Sequence, residues 1–347
     1  MTKVVQINRA SDRQGSDKLG LIGCGGIANH QLGSVWAEGL FELVAGADIR
    51  PAQLDIFREK YGLKKGYEDY RELLQDDEVE AVMICTPTYL HAEMAIAAAA
   101  TGRPIFLQKP MAMNSHDCYK VKQACEKHGV TLQVGFVRRY DNNWGTLKRV
   151  VESGELGTPL VWRQISGGPA PARPFFMEKM EGGGPLIDGM VHNYDFACHC
   201  FGAPKEVKCN PTKIRHDTTA IDTGTVLAEF ERGDQIVVSW TWGLPPDIRT
   251  NSATEVMGTN GILFFPGSFP AAKAEGKHDP ATQGAYLLLL AGGEEKVVTF
   301  EKNNMFRDEL VHFADWVTNG GTPLASCDEG IASTRIAELA MGGGGLC

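Results

Sequence analysis

"KLGLIGCGGIANHQ", residues 18–31, sets three glycines into four positions directly after a short apolar run. Glycine loses more backbone freedom on folding than any other residue, so such crowding needs a reason. An ordinary tight turn is one; a ligand lying very close to the backbone is another. Leu19–Gly23 reads as a buried strand and Ile27–Gly39 as a helix, so the glycines sit at a strand-to-helix junction. Gly23-Cys24-Gly25-Gly26-Ile27-Ala28 fits G-x-G-x-x-A, in which each small residue has a task. Gly23 makes the turn, Gly25 lets a diphosphate approach, and Ala28 permits close helix–strand packing. The N–H groups at the helix start, at Gly26 and Ile27, then face the phosphates.

Outward from this turn, strands and helices alternate. "FELVAGADI" (41–49) and "EAVMICTP" (80–87) read as strands, as do "PIFLQKP" (104–110) and "TLQVGF" (131–136). Between them lie helical stretches. "PAQLDIFREKYG" (51–62) carries Pro at its start and Gly at its end, as helix punctuation prefers. "YEDYRELLQDD" (67–77), "YLHAEMAIAAAATG" (89–102) and "SHDCYKVKQACEKHG" (115–129) complete the set. The alternation predicts a doubly wound parallel sheet over residues 1–136.

After residue 137 the rhythm changes. One helix, "NWGTLKRVVESG" (143–154), precedes longer strand-like runs: "LVWRQIS", "TGTVLAEFE", "QIVVSWTWG", "SATEVMG", "GILFF" and "EKVVTF". Residues 137–347 are therefore expected to form an α+β domain with a large, mostly antiparallel open sheet covered by helices on one face. The Gly- and Pro-rich segment 167–184 reads as a long irregular loop, and long loops are often functional. Residues 267–285 are a second weakly patterned stretch.

The chain has 347 residues, enough for two domains, with 43% hydrophobic and 22% charged residues and a net charge of −9. The negative balance argues against a nucleic-acid footprint. No run approaches a membrane span, and the first residues lack the apolar core of a secretory signal. Nine scattered cysteines, without a Cys-x-x-Cys pair, favour free thiols and a cytoplasmic location over a disulfide framework or structural zinc.

Four clusters carry candidate chemistry. Asp48 lies 25 positions after Gly23 at the end of the next strand, where a carboxylate can accept both ribose hydroxyls. Its charge favours NAD, while Arg50 keeps NADP open as the lesser alternative. Thr86 and Pro87 end the third long strand beside the crevice where such sheets bind ligands; His91 follows and could face the cofactor, cap the helix or be solvated. Gln108 and Lys109 end the next strand. The Lys109 ammonium can bond a substrate hydroxyl and stabilise a developing alkoxide, or it can simply be solvated. In "GGGPLIDGMVHNYDFACHCFG" (182–202), Asp188 and His192 are four apart on an expected helix and share one face, with Asp195 near the same stripe. A carboxylate beside an imidazole suits general-base chemistry near neutrality, although such pairs are often plain surface pairs. Cys198-His199-Cys200 could suggest a metal, but thiols two apart on a helix point apart.

The order of G-x-G-x-x-A, T-P-x-x-x-H, the K-P strand end, "VGFVRRY" (134–140) and "GGGPLIDGMVH" (182–192) resembles the Gfo/Idh/MocA oxidoreductase family, which includes glucose–fructose oxidoreductase and inositol dehydrogenase. The likeness continues into "GGTPLASCDEGIAS" (320–333). It implies an N-terminal Rossmann domain and a C-terminal domain whose open sheet makes a homodimer or homotetramer. It implies hydride transfer between NAD, or less readily NADP, and a secondary alcohol or ketone of a sugar or polyol. Lys109, Asp188 and His192 match the family's catalytic residues. Gly23, Gly25, Ala28, Asp48, Pro87 and Lys109 fall on cofactor-lining positions, and Arg138 on a site-lining arginine. Two positions depart: Gln108 stands where the family has Glu, and Thr88 where it has Asn. The same likeness leaves open an NAD-dependent glycoside hydrolase, a reductase of a non-sugar carbonyl, or a non-catalytic NAD-binding protein.

Overall fold

The computed structural model describes residues 17–342, apart from 251, 269–272, 274, 275 and 277. The chain's first residues, read above for a secretory signal, and its closing Gly-rich tail lie outside the described residues. Two compact units interleave along the chain. The first runs to Ala112 and adds His116–Val137 and Asn304–Gly330; the second comprises Met113–Ser115, Arg138–Asn303 and the chain from Ile331.

In the first unit, six parallel strands take the order β3-β2-β1-β4-β5-β6. They are β1 (Asp17–Ile22), β2 (Phe41–Ala47), β3 (Lys65–Tyr67), β4 (Ala81–Ile84), β5 (Ile105–Leu107) and β6 (Leu132–Val134). The helices between them are α1 (Gly26–Val35), α2 (Pro51–Tyr61), α3 (Tyr70–Leu74), α4 (Thr88–Ala99) and α5 (Ser115–His128). The order reverses between β1 and β4, and ligand crevices form at such a switch. β4 reads Ala-Val-Met-Ile and is buried throughout, as a central parallel strand must be. Local chemistry sets the helix ends. Pro51 opens α2, and Gly62 closes it at φ +61 with its N–H on the Arg58 carbonyl. Asp69 caps α3 by accepting from the Arg71 N–H.

In the second unit, α6 (Asn142–Ser153) comes first, and its N-cap Asp141 accepts from the Asn143 N–H. Strand β7 (Val161–Gly167), helix α7 (Val191–Phe201) and strands β8 (Pro204–Thr212), β9 (Thr223–Phe230) and β10 (Gln235–Thr241) follow. Then come β11 (Ala253–Gly258), β12 (Gly261–Phe264), β13 (Gln283–Leu290) and β14 (Glu295–Glu301). The eight strands take the order β14-β13-β12-β11-β7-β10-β9-β8. Every described pairing is antiparallel except β7 with β10, where Trp162 sits opposite Ile236. Trp162, Val226, Ala228, Ile236, Val238, Val256 and Leu263 alternate inward onto one core, joined by Tyr194 and Phe196 of α7.

The sequence reading assigned all of 137–347 to one domain. By contact, α8 (Met305–Asn319) lies in the first unit. Its apolar face is the reason: Leu310, Val311, Phe313 and Trp316 join the core of β1, β2 and β4. Phe313 stacks edge-on against Phe106 at 5.5 Å. α9 (Cys327–Gly342) adds Ile336, Ala337 and Ala340 to the second core. The sequence reading also lacks β3, whose Tyr67 it placed in the following helix, and β8 and β13. β8 is an edge strand with Pro204 and Pro211 and mostly outward polar residues, so it resembles a loop. β13 is buried over five consecutive positions, which erases the two-residue alternation.

Candidate functional site

The glycine turn follows β1, at the carboxyl end of the sheet. Gly23 adopts φ +90. A Cβ there would lie 2.8 Å from the Cys85 carbonyl carbon and 2.9 Å from its oxygen. Its N–H is bound to the Ala47 carbonyl at 2.8 Å, so the residue is wedged where β1, β2 and β4 end. Gly25 is the N-cap of α1 and supplies no side-chain cap. Gly26 and Ile27 are exposed, whereas Ala28 is fully buried. An exposed helix start without a side-chain cap beside a wedged glycine fits a diphosphate. Gly23→Ala combines a strained φ with overlap on unyielding backbone. It is expected to destabilise the chain by more than about 1 kcal/mol and to remove dinucleotide binding. Wild-type NADH affinity in this variant would contradict that reading.

Asp48 is 8% exposed at the end of β2. Its Oδ2 accepts from the Cys24 N–H at 3.1 Å, and its Oδ1 from the Arg50 N–H at 2.9 Å. The Arg50 guanidinium folds back on the same carboxylate, with Nε 3.0 Å from Oδ1 and Nη2 3.2 Å from Oδ2. A ribose would displace that guanidinium. Arg50 is half exposed, so this half of the pair is weakly held.

Two further loops leave the same sheet edge. Thr86 and Pro87 follow β4; Gln108, Lys109 and Pro110 follow β5. His91 is 1% exposed, with Nδ1 2.6 Å from the Pro110 carbonyl and Nε2 2.8 Å from the Thr86 carbonyl. It therefore ties the two loops together and is neither solvated nor a helix cap. Gln108 is also buried, and its Nε2 donates to Gln31 Oε1 at 2.6 Å.

Of the three residues given a catalytic role above, Lys109 belongs to the first unit and Asp188 and His192 to the second. The sequence reading placed the latter two on one regular helix. Instead, Pro185–Gly189 forms a π-helical turn, Met190 intervenes, and α7 begins at Val191. The Met190 N–H reaches the Pro185 carbonyl at 2.7 Å. Gly183 and Gly184, at φ +72 and +76, deliver the chain into this widened turn. Trp242 explains the glycine at 189, where a Cβ would meet its ring at 3.0 Å. Single-turn π segments are often found at functional sites. Asp188 is 6% exposed; His192 is half-buried one turn later.

Asp195 is not part of a catalytic stripe. It is 1% exposed and is gripped by Arg139, with Nη2 2.7 Å from Oδ1 and Nε 3.1 Å from both oxygens. Arg138 stacks on Trp144, its guanidinium carbon 4.1 Å from the ring centroid. Burial pushes Arg138 down to about 10, partly offset by Asp195 and Asp141.

Cys200 is buried in the second core, Cys198 packs against it and His199 is half-buried. Burial pushes the Cys198 thiol well up and Cys200 up to about 12. Among the described residues, no group of three or more His, Cys, Asp or Glu could hold a metal, and no helix is long and apolar enough to cross a membrane. Burial, then Arg139 and Lys148, hold His199 down to about 3, from an ordinary 6.5. The unfolded chain takes up that proton first. Stability is therefore full above about pH 6.5 and falls as pH drops toward 3. Denaturant titrations at pH 7 and 5 should show wild type losing more stability than His199→Gln; equal losses would contradict the assignment.

Sequence reasoning missed Gln31, Arg139 and Glu309. Glu309 alone leaves a local trace, as a carboxylate on the apolar face of α8.

Known proteins share both halves of this arrangement. The GFO_IDH_MocA model, described as an oxidoreductase family with an NAD-binding Rossmann fold, matches residues 18–136. The model of the GFO/IDH/MocA C-terminal domain matches residues 144–264. A scyllo-inositol 2-dehydrogenase (NAD(+)) of Bacillus subtilis is 29% identical over 339 residues, covering 90% of this chain and 93% of the relative. A myo-inositol 2-dehydrogenase of Thermotoga maritima is 32% identical over 226 residues, covering 62% and 66%. The crystal structure of a probable dehydrogenase from Thermotoga maritima aligns with TM-score 0.74 and 26% identity, covering 94% of this chain and 96% of that one.

Proposed function

This chain belongs to the GFO/IDH/MocA oxidoreductase family, and on that premise we propose that it moves a hydride between a nicotinamide dinucleotide and a secondary alcohol or ketone of a sugar or cyclitol. The observation that carries this reading is the wedged Gly23 turn at the β1/β4 switch, with Lys109 leaving the same edge of the same sheet. The inositol dehydrogenases among its relatives support the substrate class.

Gly23, Gly25, Gly26, Ile27 and Ala28 would hold the diphosphate. Asp48 would hold the adenosine ribose once Arg50 moves aside, while Thr86 and Pro87 line the crevice. A buried carboxylate at 48 repels a 2′-phosphate, so NAD is the preferred partner and NADP the lesser one. When bound, the dinucleotide supplies the hydride acceptor or donor. His192 takes the hydroxyl proton, Asp188 orients the imidazole or the substrate, and Lys109 stabilises the developing alkoxide. Arg138 and the 167–184 loop help position the substrate. Free thiols at the described cysteines agree with a cytoplasmic enzyme. A homodimer or homotetramer through the second sheet completes the proposal.

The test is reduction of NAD, with NADP alongside, over a panel of inositols and aldoses. Turnover of at least one polyol with NAD preferred is expected; inertness toward every polyol with both cofactors would overturn the reading. Asp48→Ser should raise the NADP-to-NAD ratio of kcat/KM by about tenfold or more. An unchanged ratio would remove Asp48 from the ribose site.

A further inference from the structure

A chain of three buried side chains runs through the first unit. Glu309 on α8 is 0% exposed, Gln31 on α1 is 1% exposed, and Gln108 after β5 is 5% exposed. Gln31 Nε2 donates to Glu309 Oε2 at 2.9 Å, and Gln108 Nε2 donates to Gln31 Oε1 at 2.6 Å. Gln133 Nε2 reaches the Glu309 backbone carbonyl at 3.3 Å and helps to hold α8 in place.

A carboxylate has no N–H and can only accept, whereas a primary amide can turn either end to a partner. With Glu309 Oε2 as the acceptor, Gln31 presents its NH2 group on that side. Gln31 must then offer its oxygen to Gln108, which must answer with its own NH2. The Gln108 carbonyl oxygen is left on the other side, 3.4 Å from where a Cβ on Gly135 would lie. One acceptor thus sets the sense of two amides. The chain links α1, which begins at the glycine turn, to the strand end that carries Lys109.

We propose that Glu309 is a positioning residue. Acting through Gln31, it fixes Gln108 with an acceptor, not a donor, turned toward the end of β6, and so sets the loop that presents Lys109. The functional half of this inference rests on Lys109 touching the reacting hydroxyl.

The sense of the chain is reversible by exchange, which gives the test. Gln108→Glu alone sets carboxylates at both ends of one amide, and Gln31 can satisfy only one of them. This variant should lose several degrees of Tm and about tenfold in kcat. Adding Glu309→Gln rebuilds the chain in the opposite sense, since the carboxylate introduced at position 108 then accepts from Gln31 and the amide introduced at position 309 donates to it. The double variant should recover Tm to near wild type and most of kcat, with KM for NAD unchanged throughout. Glu309→Gln alone should keep Tm, because either amide sense is satisfied, but lower kcat. A harmless Gln108→Glu, or losses that simply add in the double variant, would overturn the proposal. The Tm cycle needs no substrate. Recovery of Tm in a chain that turns over no polyol would therefore uphold the relay while the dehydrogenase reading fails; additive Tm losses with normal turnover would do the reverse.

Discussion

Replacing His192 by alanine is expected to lower turnover by roughly 10²–10⁴-fold while dinucleotide affinity stays intact. The size follows from removing a general base from a step in which a hydroxyl proton must leave as hydride departs. His192 sits in the first turn of α7, directly after the π-helical segment that holds Asp188. The widened turn carries Asp188 buried and His192 half-buried, so the carboxylate is shielded while the imidazole stays reachable. His192 is not among the residues assigned to the dinucleotide, so a loss of turnover with dinucleotide affinity retained reports on the proton-transfer step. Steady-state kinetics on the best polyol from the panel, paired with NADH titration, separates the two effects. Near-normal turnover would reject the role of His192, and lost NADH binding would show a general folding defect instead.

The second large effect concerns folding. Arg139 and Asp195 form a pair whose side chains are 4% and 1% exposed. Such a pair adds little over a well-packed apolar alternative, because desolvating two charges offsets most of their attraction. Removing one partner is different, since it strands the other charge away from water. Arg139→Met should destabilise the chain by about 3–5 kcal/mol, and Asp195→Leu added to it should recover most of that loss. For a unit of this size the single change corresponds to a Tm fall of roughly 6–20 °C. Denaturant unfolding of the full chain reads both variants. A single variant within about 1 kcal/mol of wild type would show that water or another group takes over the bond.

The first unit was the more legible half, for local reasons. Its parallel strands are short, mostly apolar and separated by helices with their own start and stop residues, such as Pro51, Gly62 and Asp69. The glycine turn announced its own geometry, because only a residue without a Cβ fits against Cys85 at φ +90. The return of α8 to this unit was not legible, because Phe41 and Phe106, the partners of its Phe313, lie more than 200 residues earlier and no local pattern encodes that pairing. In the second unit, alternation exposed β7, β9 and β10, whereas β8 and β13 lacked it for opposite reasons, one too polar and one too buried.

The candidate site divided along the same line. Asp48, Lys109, Asp188 and His192 stand at positions where motif and spacing suffice to single them out. How they are held depends on partners remote in sequence. Arg50 turning back on Asp48, His91 joining two carbonyls, and Glu309 reaching Gln31 across 278 positions are facts of three-dimensional packing. The regular helix expected to carry both Asp188 and His192 gave way at Asp188 to a π turn that three glycines precede and Pro185 opens, and Gly189 lies directly under Trp242.

The central claim is that the small residues at 23–28 seat the diphosphate of a nicotinamide dinucleotide. Isothermal titration of NADH into the full-length protein tests it most directly. Saturable binding with one NADH per chain, abolished by Gly23→Ala, is the predicted result. Absence of binding to the folded wild-type chain, or equal binding to the Gly23→Ala variant, would contradict it.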